Sequence, residues 1–396
     1  MAEVKPPVEL LAKIRVIGVG GSGGSAVNRM IEAGVHGVEF IAVNTDVQAL
    51  HYNKAAKKIH IGKSITRGLG AGMNPELGKQ AAEESQNEIR DALKDSDMVF
   101  VTCGLGGGTG TGAGPIVAEI ARDLGALTVA VVTKPFSFEG AQRKNISERG
   151  LAELSDKVDT IIVIPNDKIL QVIEKKTSLM DAFRVVDEVL RQGVQGIAEV
   201  ITMPGEINVD FADVKAVMAN AGSALMGIGE ASGENKAIDA AKAAISSPLL
   251  EMSIEGARGI LFTIMGGSDL TMNEVNEAAK VITASADPDA KIIFGTVIDK
   301  KLKDSIKITV VATGFDNGAR TIGPKSREVV YSPNSFLKDD TSALNKVLPE
   351  LDFGIKEEEV RSQSNLKPSS IRDAQSHPAQ RKGYATTIKN DDEDED

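Results

Sequence analysis

Apolar residues along this chain fall into short unbroken runs separated by stretches of helical spacing. The runs at 14–18, 39–43, 98–102, 127–133 and 160–164 are rich in Val, Ile and Phe. Runs this continuous leave no polar face. They predict strands buried on both sides, as in a parallel sheet covered by helices. Residues 26–33 and 75–93 instead repeat their apolar positions with helical period. The alternation predicts a doubly wound α/β domain over 13–177. A longer helical pattern covers 178–202 and stops at Met203-Pro-Gly205. A smaller α+β unit is expected over 203–316, with a helix at 213–221 and strands at 259–264, 291–295 and 306–311. Residues 1–12 read as a flexible N-terminus. From 317 apolar residues thin out, Ser, Pro, Asn, Lys and Asp dominate, and a disordered tail to 396 is expected.

Charge and cysteine content narrow the classes of function. A net charge of −11 argues against sequence-independent nucleic-acid binding, which needs a basic surface. The single cysteine, Cys103, cannot form an internal disulfide, which fits a reducing cytosol. It ends an apolar run and reads as a small buried hydrophobe. The first residues hold no apolar signal core. No run reaches the roughly 18 apolar residues of a membrane span, so no membrane insertion is expected.

Glycine carries the chemistry. Gly104-Leu-Gly-Gly-Gly-Thr-Gly-Thr-Gly112 holds six glycines in nine residues, between a strand pattern and a helix pattern. Glycine loses the most backbone entropy on ordering, so this stretch predicts a loop. Its N–H groups, two threonine hydroxyls and the helix start that follows form a phosphate cradle. Gly108 is the position where a large side chain is expected to fill the phosphate space. An earlier stretch reads Gly18-Val-Gly-Gly-Ser-Gly-Gly-Ser25, with Asp46 about 20 residues on, which satisfies the dinucleotide fingerprint. A nicotinamide dehydrogenase is therefore a competing reading. It leaves the richer loop unexplained, and His36, His51, His60 and His377 sit in no recognisable proton-handling site. Gly62-Lys-Ser64 is not a P-loop, because Lys57 stands where that pattern needs glycine. Thr66-Arg-Gly-Leu-Gly-Ala-Gly72 is a third glycine segment. It reads equally as a loop closing on a terminal phosphate and as a flexible connection capped by Asn74-Pro75. Asn208, Asp210 and Asp213 form an acidic cluster that can polarise a water. Asp210 reads equally as a helix N-cap, with Asp213 in the first turn.

Taken together, these residues resemble the FtsZ family of tubulin-like division GTPases. The likeness rests on Gly104 to Gly112, Val43-Asn-Thr-Asp46, Thr66 to Gly72, Pro135-Phe-Ser-Phe-Glu-Gly140, Ile164-Pro-Asn-Asp167 and Asn208-Val-Asp-Phe-Ala-Asp213, in order across 10–316. The resemblance implies a tubulin/FtsZ fold binding GTP or GDP with Mg²⁺. It assigns phosphate contacts to Gly20, Gly21, Ser22, Gly23, Gly24 and Ser25, and to Gly106, Gly107, Gly108, Thr109 and Gly110. Gly104, Asp46 and Pro135 join the nucleotide site, and Ala71 and Gly72 sense the γ-phosphate. Glu139 and Arg143 lie at the ribose and phosphates. Asn166 and Asp187 read guanine, with Phe183 stacking. Asn208, Asp210 and Asp213 are the catalytic segment. They complete the site of the neighbouring subunit, so the implied partner is the chain itself, head to tail. Division proteins and a membrane tether are the other implied partners, at a cytoplasmic division site. The first loop departs from the family's usual Gly-Gly-Gly-Gly-Asn-Asn. The C-terminus lacks the family's Asp-Ile-Pro-x-Phe-Leu-like peptide and ends in six acidic residues, 391–396. A filament that does not hydrolyse nucleotide remains an alternative.

The tail yields a prediction. Its acidic end should repel neighbouring tails and anionic membranes. Truncation after Asn317 is expected to preserve GTP hydrolysis and filaments, while lateral bundling rises at low salt, where repulsion reaches furthest. Sedimentation and electron microscopy across a salt series check this, and loss of filaments on truncation contradicts it.

Overall fold

The computed structural model describes residues 12–315 except 172, 175, 204–206, 208, 248–252, 300, 301 and 303. Asn208, nearly all of the expected N-terminal segment and the whole expected tail lie outside the described residues. In chain order the elements are β1 (Ile14–Val19), α1 (Gly20–Glu32), β2 (Val38–Asn44), α2 (Val47–Tyr52), β3 (Lys57–His60) and α3 (Lys63–Thr66). Next come α4 (Pro75–Glu84), α5 (Gln86–Leu93), β4 (Met98–Gly104), α6 (Thr109–Asp123), β5 (Leu127–Lys134), α7 (Ala141–Ser155), β6 (Thr160–Pro165) and α8 (Asn166–Ile169). The remainder is α9 (Leu179–Thr202), α10 (Phe211–Met218), β7 (Gly222–Ser232), α11 (Lys236–Ile245), β8 (Gly259–Gly266), α12 (Met272–Thr283), β9 (Lys291–Ile298) and β10 (Ser305–Thr313).

One ten-stranded sheet runs β3-β2-β1-β4-β5-β6-β7-β10-β8-β9. From β3 to β7 every pair is parallel. β10 is antiparallel to both β7 and β8, and β8 and β9 are parallel again. The continuous runs do fill two cores. Val16, Phe100, Val129 and Ile162 face α1 and α9, whereas Ile17, Val101, Ala130 and Ile161 face α4, α5 and α6. A third core lies under α11 and α12, around Phe262 and Ile308.

The second glycine stretch forms the expected loop only over 105–108, and the first forms none. α1 begins at Gly20 and α6 at Thr109, so seven glycines lie in or near the first two turns of these helices. Backbone contact explains this. A Cβ at Gly23 would sit 2.3 Å from the Thr102 carbonyl oxygen, and one at Gly112 would sit 1.9 Å from that of Pro75. The helices can approach their neighbours only because no side chain intervenes. The expected long helix 75–93 is two helices, α4 and α5, broken at Ser85, whose φ of −107° and ψ of 18° leave the helical region. The expected helix 213–221 starts earlier, at Phe211, because Asp210 caps it.

Candidate nucleotide-binding site

Val19, Gly104, Thr133 and Asn166 stand at or beside the C-terminal ends of β1, β4, β5 and β6, and all four line one cavity of about 380 Å³. Crevices at the carboxyl ends of parallel strands are the usual ligand sites of open α/β sheets. One end of this cavity is made of helix starts. Gly21, Ser22 and Ser25 come from α1; Leu105, Gly107, Gly108, Thr109 and Gly110 come from the β4–α6 junction. Neither helix has a side-chain cap or an acidic residue in its first turn. α3 and α7 share both features, whereas α2, α4, α9, α10 and α12 are capped by side chains. The uncapped helix starts thus present N–H donors and positive dipole ends to one space. Thr109 is held in place by a 2.8 Å hydrogen bond between its hydroxyl and that of Thr45. Ala71 and Gly72, from the third glycine segment, close over this end.

The other end is built by α8 and α9. Asn166, Phe183, Val186 and Asp187 line it. The Asn166 Oδ1 is buried with no hydrogen-bond partner, an acceptor left for a ligand's N–H. Burial pushes the Asp187 carboxyl up to about 6, against a smaller opposing pull from the Arg29 guanidinium. Phe183 is 40% exposed and meets buried Phe136 edge-on at 5.6 Å. Between the two ends stand Pro135, Glu139 and Arg143. Arg143 Nη1 donates to Glu139 Oε2, and the Phe136 N–H donates to Glu139 Oε1 at 2.9 Å. A planar, hydrogen-bonding group fits the α9 end, and an anion fits the helix starts.

Five expected contact residues stand outside this cavity. Gly20 has a φ of +76° and lies where a Cβ would be 2.9 Å from the Gly110 nitrogen; it sets the spacing between α1 and α6. Gly23 packs on β4, and the Gly24 carbonyl accepts from Asn53 Nδ2 at 2.9 Å. Gly106 turns the chain with a φ of +97°, and its N–H donates to Thr111 Oγ1 at 3.0 Å. Asp46 caps α2 through the N–H groups of Gln48 and Ala49, at 2.8 and 3.1 Å. Asp46 does not line the cavity where the dinucleotide fingerprint required a ribose contact. Val19, Leu105, Thr133 and Val186 line the cavity without having been expected there. Their only sequence signal is position, at strand ends or one helical step from Phe183.

The acidic residues lie elsewhere. Asp210 caps α10 by accepting the Ala212 N–H at 3.1 Å, and both Asp210 and Asp213 are exposed and absent from the cavity wall. Cys103 is buried, with its thiol pushed up to about 12, as befits a small apolar residue. Of the described histidines none lines the cavity; His60 meets the Thr45 carbonyl oxygen at 3.1 Å.

Known proteins fit this geometry. Residues 13–174 match the family model described as the Tubulin/FtsZ family, GTPase domain, and residues 222–316 match the FtsZ family, C-terminal domain. An FtsZ dimer from M. jannaschii, solved empty, is 50% identical, with a TM-score of 0.75 over 78% of this chain and 89% of that one. GDP-bound CetZ1 from Haloferax volcanii shares the fold at 22% identity and a TM-score of 0.67, over 77% of this chain and 95% of that one. CetZ2 from the same organism, a GTPγS-bound protofilament, does so at 23% and 0.65, over 76% and 92%.

The expectation at Gly108 changes. A Cβ there would meet Ala71 Cβ at 2.8 Å and the Asn74 nitrogen at 2.9 Å, whereas Gly107 faces open space. Gly107→Trp is therefore expected to abolish binding of a nucleoside triphosphate while leaving the melting temperature near that of the unaltered chain. Gly108→Trp is expected to lower the melting temperature. Isothermal titration and thermal melts check both. Unchanged affinity in Gly107→Trp would remove Gly107 from the binding surface.

Proposed function

The chain belongs to the tubulin/FtsZ family of GTPases, with FtsZ-type N- and C-terminal regions, and we propose that it is a self-polymerising cytoskeletal GTPase that builds the cell-division ring. One observation carries this reading: a single cavity joins two uncapped helix starts to the Asn166, Phe183 and Asp187 end. In it, the phosphates lie against the N–H groups of α1 and α6. Guanine lies against Phe183, its N1–H and 2-amino group donating to Asp187. The expected units enter the proposal as a GTP-binding domain (13–177), a connecting helix (178–202) and an activating domain (203–316).

Hydrolysis needs a group that orients water, and no cavity-lining residue at the phosphate end is acidic. We place that function on Asn208, Asp210 and Asp213 of the next subunit. Such a contact joins unlike surfaces and does not close on itself, so it builds a filament. The donor set also bears on Mg²⁺. Among the described residues no three His, Cys, Asp or Glu side chains converge. A Mg²⁺ would therefore be held chiefly by phosphate oxygens and water, its common mode, and would neutralise phosphate charge. No described helix is long and apolar enough to cross a membrane. In this proposal, division proteins and a tether attach the filament at a cytoplasmic division site. A nicotinamide dehydrogenase is disfavoured, because neither Asp46 nor any described histidine lines the cavity.

The trans arrangement sets the decisive experiment. GTPase activity per molecule is expected to rise above a threshold protein concentration, together with light scattering. Asp213→Ala should retain GTP binding and slow hydrolysis about 10²- to 10⁴-fold. A specific activity that is flat through high dilution, without scattering, contradicts the trans site. Loss of folding in Asp213→Ala would leave it only a first-turn residue of α10.

Asp187 gives a pH dependence. Only its carboxylate accepts both guanine donors, and its pKa of about 6 lies above the ordinary aspartate value of 3.8. Acidification through 6 therefore removes the binding form. GTP affinity should be about tenfold weaker at pH 5 than at pH 7.5, in proportion to the competent fraction. Asp187→Asn should bind GTP weakly and without that step. A pH-independent affinity in the unaltered chain would take Asp187 out of base recognition.

A further inference from the structure

Two walls of the cavity come from different connections, the β5–α7 turn carrying Glu139 and the β6–α8 junction carrying Asn166. A single side chain ties them together. The Asp167 carboxylate accepts the Ser137 N–H on Oδ1 at 2.9 Å and the Ser137 hydroxyl on Oδ2. The turn so held, a 3₁₀ turn at Ser137–Glu139, is seated on buried Phe136 but is tied to elements distant in sequence by no further hydrogen bond among the described residues. Among the described residues every other hydrogen bond of 136–140 is made within four positions: Glu139 with Phe136 and Arg143, Gly140 with Ser137 and Lys144. Asp167 is the long-range anchor, 30 residues away in sequence.

Through that turn the anchor reaches Glu139 and Arg143 on the cavity wall, and Phe183 by way of Phe136, which does not itself line the cavity. Glu139 sits at the turn's end and holds Arg143. Phe136 stands just before it, stacked on Phe138 at 5.0 Å and edge-on to Phe183 at 5.6 Å. Asn166 is the neighbour of Asp167 itself. Asp167 does not line the cavity. We infer that Asp167 is a positioning residue for the nucleoside: it clamps Ser137 and so fixes the sugar-side wall of Glu139 and Arg143 relative to the base-side wall of Asn166 and Phe183. A hydrogen bond to an ionised acceptor is about twice as strong as a neutral one, and two on one residue set orientation as well as distance. A carboxylate suits this task because both Ser137 groups are donors and it is acceptor only.

The inference rests on the guanine-nucleotide reading and predicts a selective loss. Displacement of a wall by about 1 Å can cost up to 10²-fold. Asp167→Ala is expected to weaken GTP and GDP binding by the same factor, about tenfold to 10²-fold, with inorganic triphosphate binding unmoved. Triphosphate needs only the helix starts. Ser137→Ala removes one of the two bonds and should weaken GTP less. The double variant should be no worse than Asp167→Ala alone, because both changes break one clamp. Asp167→Asn keeps an acceptor for the Ser137 N–H and should recover part of the loss. Calorimetry of dilute, filament-free protein reads all of these, with thermal melts on the same samples.

GTP affinity unchanged in Asp167→Ala overturns the inference. So does an equal loss for triphosphate, which marks general damage to the fold, or full additivity with Ser137→Ala. If Asp167→Ala does not fold, Ser137→Ala alone decides by the same ratio of GTP to triphosphate. Failure of the unaltered chain to bind GTP would overturn the nucleotide reading, and this inference with it.

Discussion

Everything at the site depends on backbone touching backbone where α1, α4 and α6 meet the sheet. Gly78 lies where a Cβ would be 2.4 Å from the Gly108 carbonyl oxygen, and Gly110 where one would be 2.8 Å from that of Gly104. Together with Gly20, Gly23 and Gly112, these positions leave no room for a methyl group. Each helical glycine costs about 1 kcal/mol relative to alanine. Propensity alone would therefore not start a helix at Gly20 or at Thr109. Packing does, and the geometry that results sets two helix N-termini side by side. A side chain at any of the tight contacts would cost roughly 1–3 kcal/mol of overpacking and would separate those termini. The sequence feature that makes the site costly to fold is the same one on which the proposed phosphate binding rests.

The two ends of the sheet are joined more sparingly than either is built. β6 and β7 pair over only three residue pairs, Thr160–Gly222 to Ile162–Ala224, whereas β7 and β10 pair over eight. Asp159 supplements the narrow join. Its carboxylate accepts the Thr128 N–H at 2.9 Å and the Asn220 N–H at 3.3 Å, and its backbone bonds both Thr128 and Gly222. α9 runs alongside, with Gly193 and Gly196 facing Met226 and Thr309 at distances that admit no Cβ. One continuous helix thus begins at the cavity, with Phe183 and Asp187, and ends at Thr202, eight residues before Asp210.

The buried strands were legible because their runs have no polar face; β1, β4, β5, β6, β8 and β10 all begin within one residue of expectation. β7 was not, since Gly222-Ser-Ala-Leu-Met-Gly-Ile-Gly229 is too rich in small residues to read as a strand. α7 went unread for the opposite reason, being mostly polar with only Ser147, Gly150 and Leu154 buried. The phosphate end was readable from local composition, because only glycine permits the approach it needs. Even there composition hid where α1 and α6 begin, at Gly20 and Thr109, since a tertiary contact cannot be seen in a nine-residue window. The base end had no local signature. Glu139, Arg143, Asn166, Phe183 and Asp187 are ordinary residues on four separate elements, and resemblance alone singled them out. Asp167 and Ser137 both stand in segments that carry the resemblance, but nothing local pairs them, 30 residues apart.

Asp210 shows why a cap and a catalytic role are not competing descriptions. Its carboxylate accepts one N–H from the first turn of α10, which leaves further lone pairs free while fixing the side chain in place. An uncapped aspartate at an exposed helix start would sample several rotamers and lose entropy each time it was immobilised against a neighbour's phosphate. The cap meets that cost during folding, within the subunit, before any contact with another copy. Asp213, one turn on, gains from the same helix start and stays exposed. The subunit therefore carries a pre-oriented acidic pair on one unit and an acid-free phosphate cradle on another. In the trans site proposed above, a second copy brings such surfaces together, and assembly would be a condition of catalysis.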